Sequence, residues 1–388
     1  MVGATVTATQ IETGQIRSAT SDDKGMFQIV KLKPGTYKVK VENGGFAPQE
    51  RTDLRTVSGQ VVQLDFKLSV GSVNAQQTVN AGDEDAPAID TTRTVVGGTI
   101  TQREIEEIPN NSRNPLDLVL TLGGTSEEQL STKDLAEDRS QNPNGTPLEQ
   151  GNFSLSGGTA YSNNITIDGL DNNDDRSSRD RFQPSIESIA EVQVITNQFS
   201  AEYGRASGGR INIRTRAGGN KLRGRGFMFY RDDNFDANTW YNNSRDIPRP
   251  PLREIDPGFF ISGPIVIPHL YNGHNRTFFA VGYEYLNLRD TTLIDTYIPV
   301  VPNPHYTLPT PNGTGQFCDN AVPTACPATA GFIAPYTQSY LTPNISNVLT
   351  ARVDHKLFAG NDLTLGFQFA RKHNRRTNGA STTRIENA

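Results

Sequence analysis

Residues Gln183–Asn220 read QPSIESIAEVQVITNQFSAEYGRASGGRINIRTRAGGN, and the fold turns on this stretch. Its pattern predicts one turn of helix, a short strand, a glycine-punctuated turn and a second strand. The apolar positions fall where a small packed sheet needs them, and glycines stand where the backbone has to bend. None of these residues is equipped for bond-making chemistry. From Lys221 onward the pattern changes to long alternating strands, so the stretch marks a seam between two architectures.

Composition sets the outer bounds. In 388 residues only 35% are hydrophobic, while 35 glycines and 23 prolines supply turns. With a mean hydropathy of −0.53, this favours β-structure over helix and two or three domains over one. No run of about eighteen apolar residues is present for a transmembrane helix. A membrane β-barrel is compatible, because only alternate residues of its short strands face lipid. The net charge of −5 and the lack of a basic stripe argue against a nucleic-acid partner. The two cysteines, Cys318 and Cys326, lie in a proline-rich loop and fit a local disulfide or two thiols equally well. Met1 runs straight into strand-like VGATVTAT with no leader pattern, which reads as a cytosolic chain or one that starts downstream of its true beginning; the second is the expectation here.

Outward from the seam, residues 1–70 read as a compact β-sandwich. Val2–Thr9, Ile16–Thr20, Gly25–Val30, Gly35–Glu42 and Gln60–Leu68 are its expected strands. Asp23-Lys24-Gly25 and Lys33-Pro34-Gly35 supply turns, and Tyr37, Val39 and Val41 share one face. Residues 71–94 read as a polar linker with an acidic run, Asp83–Ala88. A second unit spans 95–220. In it Thr101 and Glu104 form a capping box for a helix that Pro109 ends, and Asn114 caps another that starts at Pro115 and closes at Gly123-Gly124. Ser126–Gly151 reads as a polar loop, followed by strands Asn152–Ser156 and Asn163–Asp168.

Residues 221–388 carry five expected strands: Leu222–Arg231, Gly258–Ile267, Thr277–Leu288, Asn347–Leu357 and Asp362–Arg371. Each is near the ten residues that cross an outer membrane at a tilt. Long connections (Asp232–Pro257, Arg289–Ser346) alternate with short ones (Pro268–Arg276, Phe358–Asn361), as outer loops alternate with periplasmic turns. Leu349, Ala351, Val353 and Leu357 alternate with Arg352, Asp354 and Lys356, giving one apolar face and one suited to a wet lumen. Five strands do not close a large barrel, so an end beyond Ala388 is expected too.

Together these residues carry a resemblance. The sandwich pattern from Asp23 to Val39 resembles the carboxypeptidase regulatory-like domain, with Lys24 and Lys33 departing from its usual form. Asp168-Gly169, the element Ile186–Val192 with Glu187, and Tyr203-Gly204 through Gly208-Gly209 to Ile213 resemble the plug domain of TonB-dependent outer-membrane transporters. FFISGPIVIPHLYNGHNRTFFAVGYEY resembles the Oar-like subgroup, with Ser262 in place of a glycine. The fold so implied is mainly β: a transthyretin-like β-sandwich, then an α+β plug, then the first strands of an incomplete outer-membrane β-barrel.

The resemblance implies a location in the outer membrane of a Gram-negative-type cell, with sandwich and plug on the periplasmic side. It also implies a plug that blocks a barrel of about 22 strands until a TonB-type energy-transducing partner pairs with a short segment by strand addition. The candidate for that segment is Gln77, Thr78, Val79, Asn80 and Ala81, in which Asn80 departs from the usual alternation. The implied partners are that protein, outer-membrane lipid and an unidentified bulky solute; no cofactor is implied.

Other readings compete with this one. The acidic loop of Asp168, Asp171, Asp174, Asp175 and Asp180 fails as an EF-hand, since Arg176 and Phe182 stand where glycine and glutamate are needed; a solvated loop facing solute is the reading kept. The five histidines lack zinc-hydrolase spacing, so the sandwich carries no peptidase activity with it. Gly208-Gly209 and Gly218-Gly219 lack the rest of a phosphate loop and are read as turns. Aromatics in 227–230 and 278–285 are read as lipid-facing rather than sugar-stacking. An adhesion protein on the same scaffold is the second functional class, and a secreted hydrolase the third.

Overall fold

In the computed structural model the described residues are 1–71, 77–80, 96–110, 113–127, 153–159, 162–173, 180–197, 204–244, 246–299, 333–358, 361–377 and 384–387. They form three main sheets in chain order. The first joins β1 (Thr5–Gln10), β2 (Ile16–Thr20), β3 (Gly35–Glu42), β4 (Gln49–Thr56) and β5 (Gln77–Asn80) in the order β2-β1-β3-β4-β5. Alternation places Ala4, Val6, Ala8, Tyr37, Val39, Val41 and Leu54 in one core. The facing layer differs from expectation. Gly25–Val30 and Gln60–Leu68 form no ladder; they lay Phe27, Ile29, Leu64, Phe66 and Leu68 on the core as side chains only. β4 was missed because QERTDLRT offers a single buried apolar residue, Leu54. Its pairing comes from β3, not from its own pattern.

Tyr37 is 3% exposed, and its hydroxyl donates to the Lys33 carbonyl at 2.6 Å. Burial, and then the charge of Glu12, push its phenol from 10.0 up to about 12. The unfolded phenol ionises first, so the stability held by the neutral buried form is intact below pH 10.0 and is lost as pH climbs to about 12. The loss is about 3 kcal/mol. Melts of the sandwich across that window should show this slope, and Tyr37→Phe should flatten it.

The second sheet contains β6 (Val96–Thr101), β9 (Asn164–Ile167), β10 (Leu170–Asp171), β11 (Ile189–Asn197) and β12 (Arg210–Thr215), ordered β10-β9-β12-β11-β6. β11 and β12 are the two strands of the opening stretch, paired antiparallel from Ile189↔Thr215 to Ile195↔Arg210. A 3-10 turn, Ile186–Ser188, supplies the turn of helix before them. Helix α1 (Gln102–Glu107) starts with the expected box, in which Thr101 N–H donates to Glu104 Oε2 at 2.7 Å. Asn114 caps the next helix by accepting from Leu116 N–H at 3.0 Å. That helix, Pro115–Thr121, is 3-10 throughout and closes with i→i+3 bonds such as Leu122 N–H to Val119 O. A separate pair joins β7 (Thr125–Glu127) to β8 (Phe153–Leu155). Leu116, Val119, Leu155, Ile165, Ile189, Val192, Ile211 and Ile213 fill one continuous core, each contributing about 1.5–3 kcal/mol.

The third sheet is a wall of β13 (Arg223–Asp232), β14 (Arg253–Pro264), β17 (Thr277–Pro299), β18 (Ile333–Phe358), β19 (Asn361–Thr377) and β20 (Arg384–Asn387), all antiparallel neighbours in chain order. β15 (Val266–Ile267) and β16 (Tyr271–Asn272) form a small hairpin between them, so Gly258–Ile267 is two strands rather than one. The expected long loop Arg289–Ser346 is also partly strand. β17 and β18 stay paired from Arg289↔Pro343 to Pro299↔Ile333, because a hairpin once in register continues wherever both strands avoid a break.

Burial in the wall runs opposite to that of a protein in water. Along β18 Thr342, Asn344, Ser346, Thr350, Arg352 and Asp354 are buried. On β19 Leu363, Leu365, Phe367 and Phe369 are 41%, 59%, 57% and 49% exposed. An apolar exterior over a polar interior suits a lipid surround. The polar face is not an open wet lumen, as expected, but is covered by the second sheet.

Candidate functional site

The contact between the second sheet and the wall is an ionic seam with two centres. The first is Arg113, whose side chain is 12% exposed. Its Nη2 donates to Glu187 at 2.7 Å, its Nε lies 2.7 Å from Asp256 Oδ2, and Glu284 stands 3.4 Å away. Its guanidinium also covers the rings of Phe227 and Phe229, at 4.9 and 4.0 Å from their centroids. Glu187 comes from the plug-like unit; Asp256 and Glu284 come from wall strands β14 and β17. Burial works against the Arg113 charge, but Glu284, Glu187 and Asp256 outweigh it and hold the group protonated more firmly than usual. Arg113 adopts φ +52, a left-handed conformation that costs a non-glycine residue about 1–2 kcal/mol. The ion pairs hold it there.

The second centre reverses the polarity. Arg352, on wall strand β18, takes Asp354 bidentately at 2.7 and 3.0 Å. It also donates to Asp168 at 3.2 Å and to the Thr215 carbonyl at 3.3 Å. Asp168-Gly169 is the two-residue turn joining β9 to β10, with φ +50 and +85. Positive φ at both central residues is the I′ hairpin geometry that favours Asp-Gly. The same Asp168 carboxylate accepts from Thr215 N–H at 3.0 Å and Thr215 Oγ1 at 2.5 Å.

Between the centres the backbones approach closely. A Cβ on Gly282 of β17 would stand 2.0 Å from Ser188 Oγ and 3.3 Å from Phe260 Cδ2, so a larger residue there would turn the Ser188 hydroxyl aside. The seam is thus tight in shape and mixed in chemistry. Its charge pairs, which water or protons are able to compete for, lie beside Val348 of β18, which joins the core of the second sheet, and Phe260 of β14, which lies under Arg216. Among the described residues no group of three or more His, Cys, Asp or Glu side chains is arranged to hold a metal ion.

The other sequence candidates fall as follows. Gly208 and Gly209 sit before β12, and their role is close approach rather than the turn chemistry expected of them. A Cβ on Gly209 would lie 2.5 Å from Leu155 Cδ1, and one on Gly208 would lie 2.4 Å from Ser162 Oγ. Gly218 does the same against the Phe279 carbonyl, at 2.4 Å. Gly204 is exposed and meets nothing within 4 Å. Gln77–Asn80 form β5, which pairs in parallel with β4 (Glu50↔Thr78, Arg51↔Val79). Ala81, Tyr203, Asp174, Asp175, Cys318 and Cys326 lie outside the described residues. Sequence reading missed Arg113, Asp256 and Glu284, which carry no local signal. Arg352 and Asp354 were legible only as members of a polar face.

The fold and seam define an outer-membrane barrel wall with a plug packed against its inner face. Comparison with known proteins gives the same parts in the same order. Residues 1–69 match the carboxypeptidase regulatory-like domain, 88–210 the TonB-dependent receptor plug domain, and 214–387 an outer membrane beta barrel domain. The TonB-dependent transporter Oar of Myxococcus xanthus is 29% identical over 222 residues, which is 56% of this chain and 19% of the relative. Among solved structures, the outer membrane transporter YddB of Escherichia coli aligns at TM-score 0.46 with 13% identity, over 73% of this chain and 34% of that one. The ferric enterobactin receptor PfeA of Pseudomonas aeruginosa aligns at TM-score 0.42 with 14% identity, over the same shares of 73% and 34%. The chain thus spans about a fifth of the curated relative it matches. Its plug and barrel-domain matches are those of a TonB-dependent receptor, and they place the chain in the Gram-negative outer membrane.

Proposed function

We propose that this chain is the plug-bearing portion of an outer-membrane receptor that imports a bulky solute, such as an oligosaccharide, a peptide or a metal chelate. A TonB-type energy-transducing partner supplies the work. The observation that carries this reading is the charge-paired seam between plug and wall. A purely structural fill would be packed mainly with apolar side chains, whereas an interface rich in charge pairs comes apart and re-forms while exposing less hydrophobic surface. The relation to a TonB-dependent transporter of Myxococcus xanthus supports import over adhesion. In this reading residues 1–70, 95–220 and 221–388 are sandwich, plug and wall, with 71–94 linking the first two. Sandwich and plug face the periplasm, and the apolar outer face of the wall meets lipid.

The partner grips Gln77–Ala81 by strand addition. Deleting these five residues should abolish energy-dependent import while leaving solute binding at the cell surface intact. Uptake and surface binding measured in the same cells check both arms. Import that persists would sink coupling through this segment, and binding without any energy-dependent import in the parent would move the chain to the adhesion class.

A further inference from the structure

The sandwich meets the rest of the molecule at three contacts that its own fold does not need. Ser58, in the turn after β4, accepts at its carbonyl from Gln193 at 2.9 Å and at its hydroxyl from Arg214 at 2.8 Å, and donates to Glu191. Gln193 and Glu191 lie on β11 and Arg214 on β12, the central strands of the plug. On the wall, Asp362 at the start of β19 accepts from Gln15 at 3.1 Å and sits 3.3 Å from Lys33. At the junction of plug and wall, Asn220 N–H donates to the Glu12 carbonyl at 2.8 Å.

These surfaces meet at backbone distance. A Cβ on Gly219 would lie 2.9 Å from the Glu12 carbonyl oxygen. The contacts surround a cavity of about 100 Å³ bordered by all three units. Side-chain pairs between loosely apposed surfaces do not bring a backbone carbonyl this close to a glycine; a fitted interface does.

We propose that the sandwich is a staple. It ties β11 and β12 of the plug to the β18–β19 hairpin of the wall, and it has to let go before the plug can move. The proposal rests on the import reading above. In that reading the gripped segment is β5, an edge strand of the sandwich itself, so the pull is applied between staple and plug. Each contact is modest alone. Because one rigid sandwich carries all of them, displacing the plug has to break them together.

A reversible lock tests this. Glu12 Cβ and a Cβ built on Gly219 are 3.6 Å apart, within the range for a disulfide. The test variant is therefore Glu12→Cys with Gly219→Cys, in a receptor whose Cys318 and Cys326 are serine. Because a Cβ at 219 also stands 2.9 Å from the Glu12 carbonyl oxygen, the reduced double variant is first matched to the parent by melting. It then fastens the staple when oxidised, and a variant that fails the match leaves the decision to the charge reversal below. Plug movement is read at Ser188→Cys. Ser188 is 1% exposed and its hydroxyl has no partner, so a thiol there stays shielded from a membrane-impermeant maleimide until the plug leaves the wall.

In cells with an energised partner, labelling at position 188 should rise at least tenfold when the lock is reduced and stay at the un-energised level when it is oxidised. Equal labelling in both states overturns the staple. No energy dependence even in the reduced state overturns the import reading, and the staple is then decided on the purified receptor. There Asp362→Lys should speed hydrogen exchange in β11 and β12 at least fivefold, and adding Lys33→Glu should restore it. Exchange unchanged by Asp362→Lys overturns the staple regardless of import.

Discussion

Replacing Arg113 with alanine should destabilise the seated plug by about 3–5 kcal/mol, the cost of removing one partner from a buried ion pair. The size follows from charge arithmetic at the site. One guanidinium serves Glu187, Asp256 and Glu284, whose side chains are 3%, 1% and 14% exposed. Without it three carboxylates crowd a space with little water. Arg113→Lys should recover only part of the loss. An ammonium has no planar fork to reach Glu187 and Asp256 together, and it stacks less well between Phe227 and Phe229. Protease sensitivity of the plug and the melting temperature of the detergent-solubilised receptor measure the effect. An Arg113→Ala receptor that melts like the parent would show that the seam does not hold the plug.

Gly209→Ala should cost about 3 kcal/mol, the upper part of the range for overpacking a core. The added methyl would meet Leu155 Cδ1 at 2.5 Å, Leu155 Cβ at 2.7 Å and the Ile195 carbonyl at 2.9 Å. Leu155 is 0% exposed and has nowhere to retreat, and the carbonyl belongs to β11. Gly204→Ala, in the same run of sequence but facing open space, should change stability by less than about 0.5 kcal/mol. Denaturant midpoints of the two variants give the comparison. If both are neutral, the glycine pair before β12 is not there for close approach.

The legible parts of the molecule were those with local causes. The capping box at Thr101, the Asn114 cap and the two strands Ile189–Asn197 and Arg210–Thr215 each follow from residues close in sequence, although the pairing of those strands does not. Asp168-Gly169 was visible as a motif, and its turn geometry explains why those two residues stand together. β4 was not legible, because a polar strand borrows its order from a neighbour. Gly25–Val30 and Gln60–Leu68 were over-read: alternating side chains require an extended backbone, but not a hydrogen-bonded partner. The long pairing of β17 with β18 lies where the sequence pattern predicts a loop, since nothing local announces that two distant segments will continue in register.

What the sequence determined by itself was the order of the parts and the two-faced character of the wall. Both are written in periodicity, which the backbone turns directly into faces. What only the tertiary structure decided was which charges meet. Arg113 reaches Asp256 and Glu284 across 143 and 171 positions, and Arg352 reaches Asp168 across 184. A charge on a polar face has no preferred partner until packing removes the water around it. Seam and staple alike exist only once the three sheets are brought together, because burial, not spacing along the chain, selects those pairs.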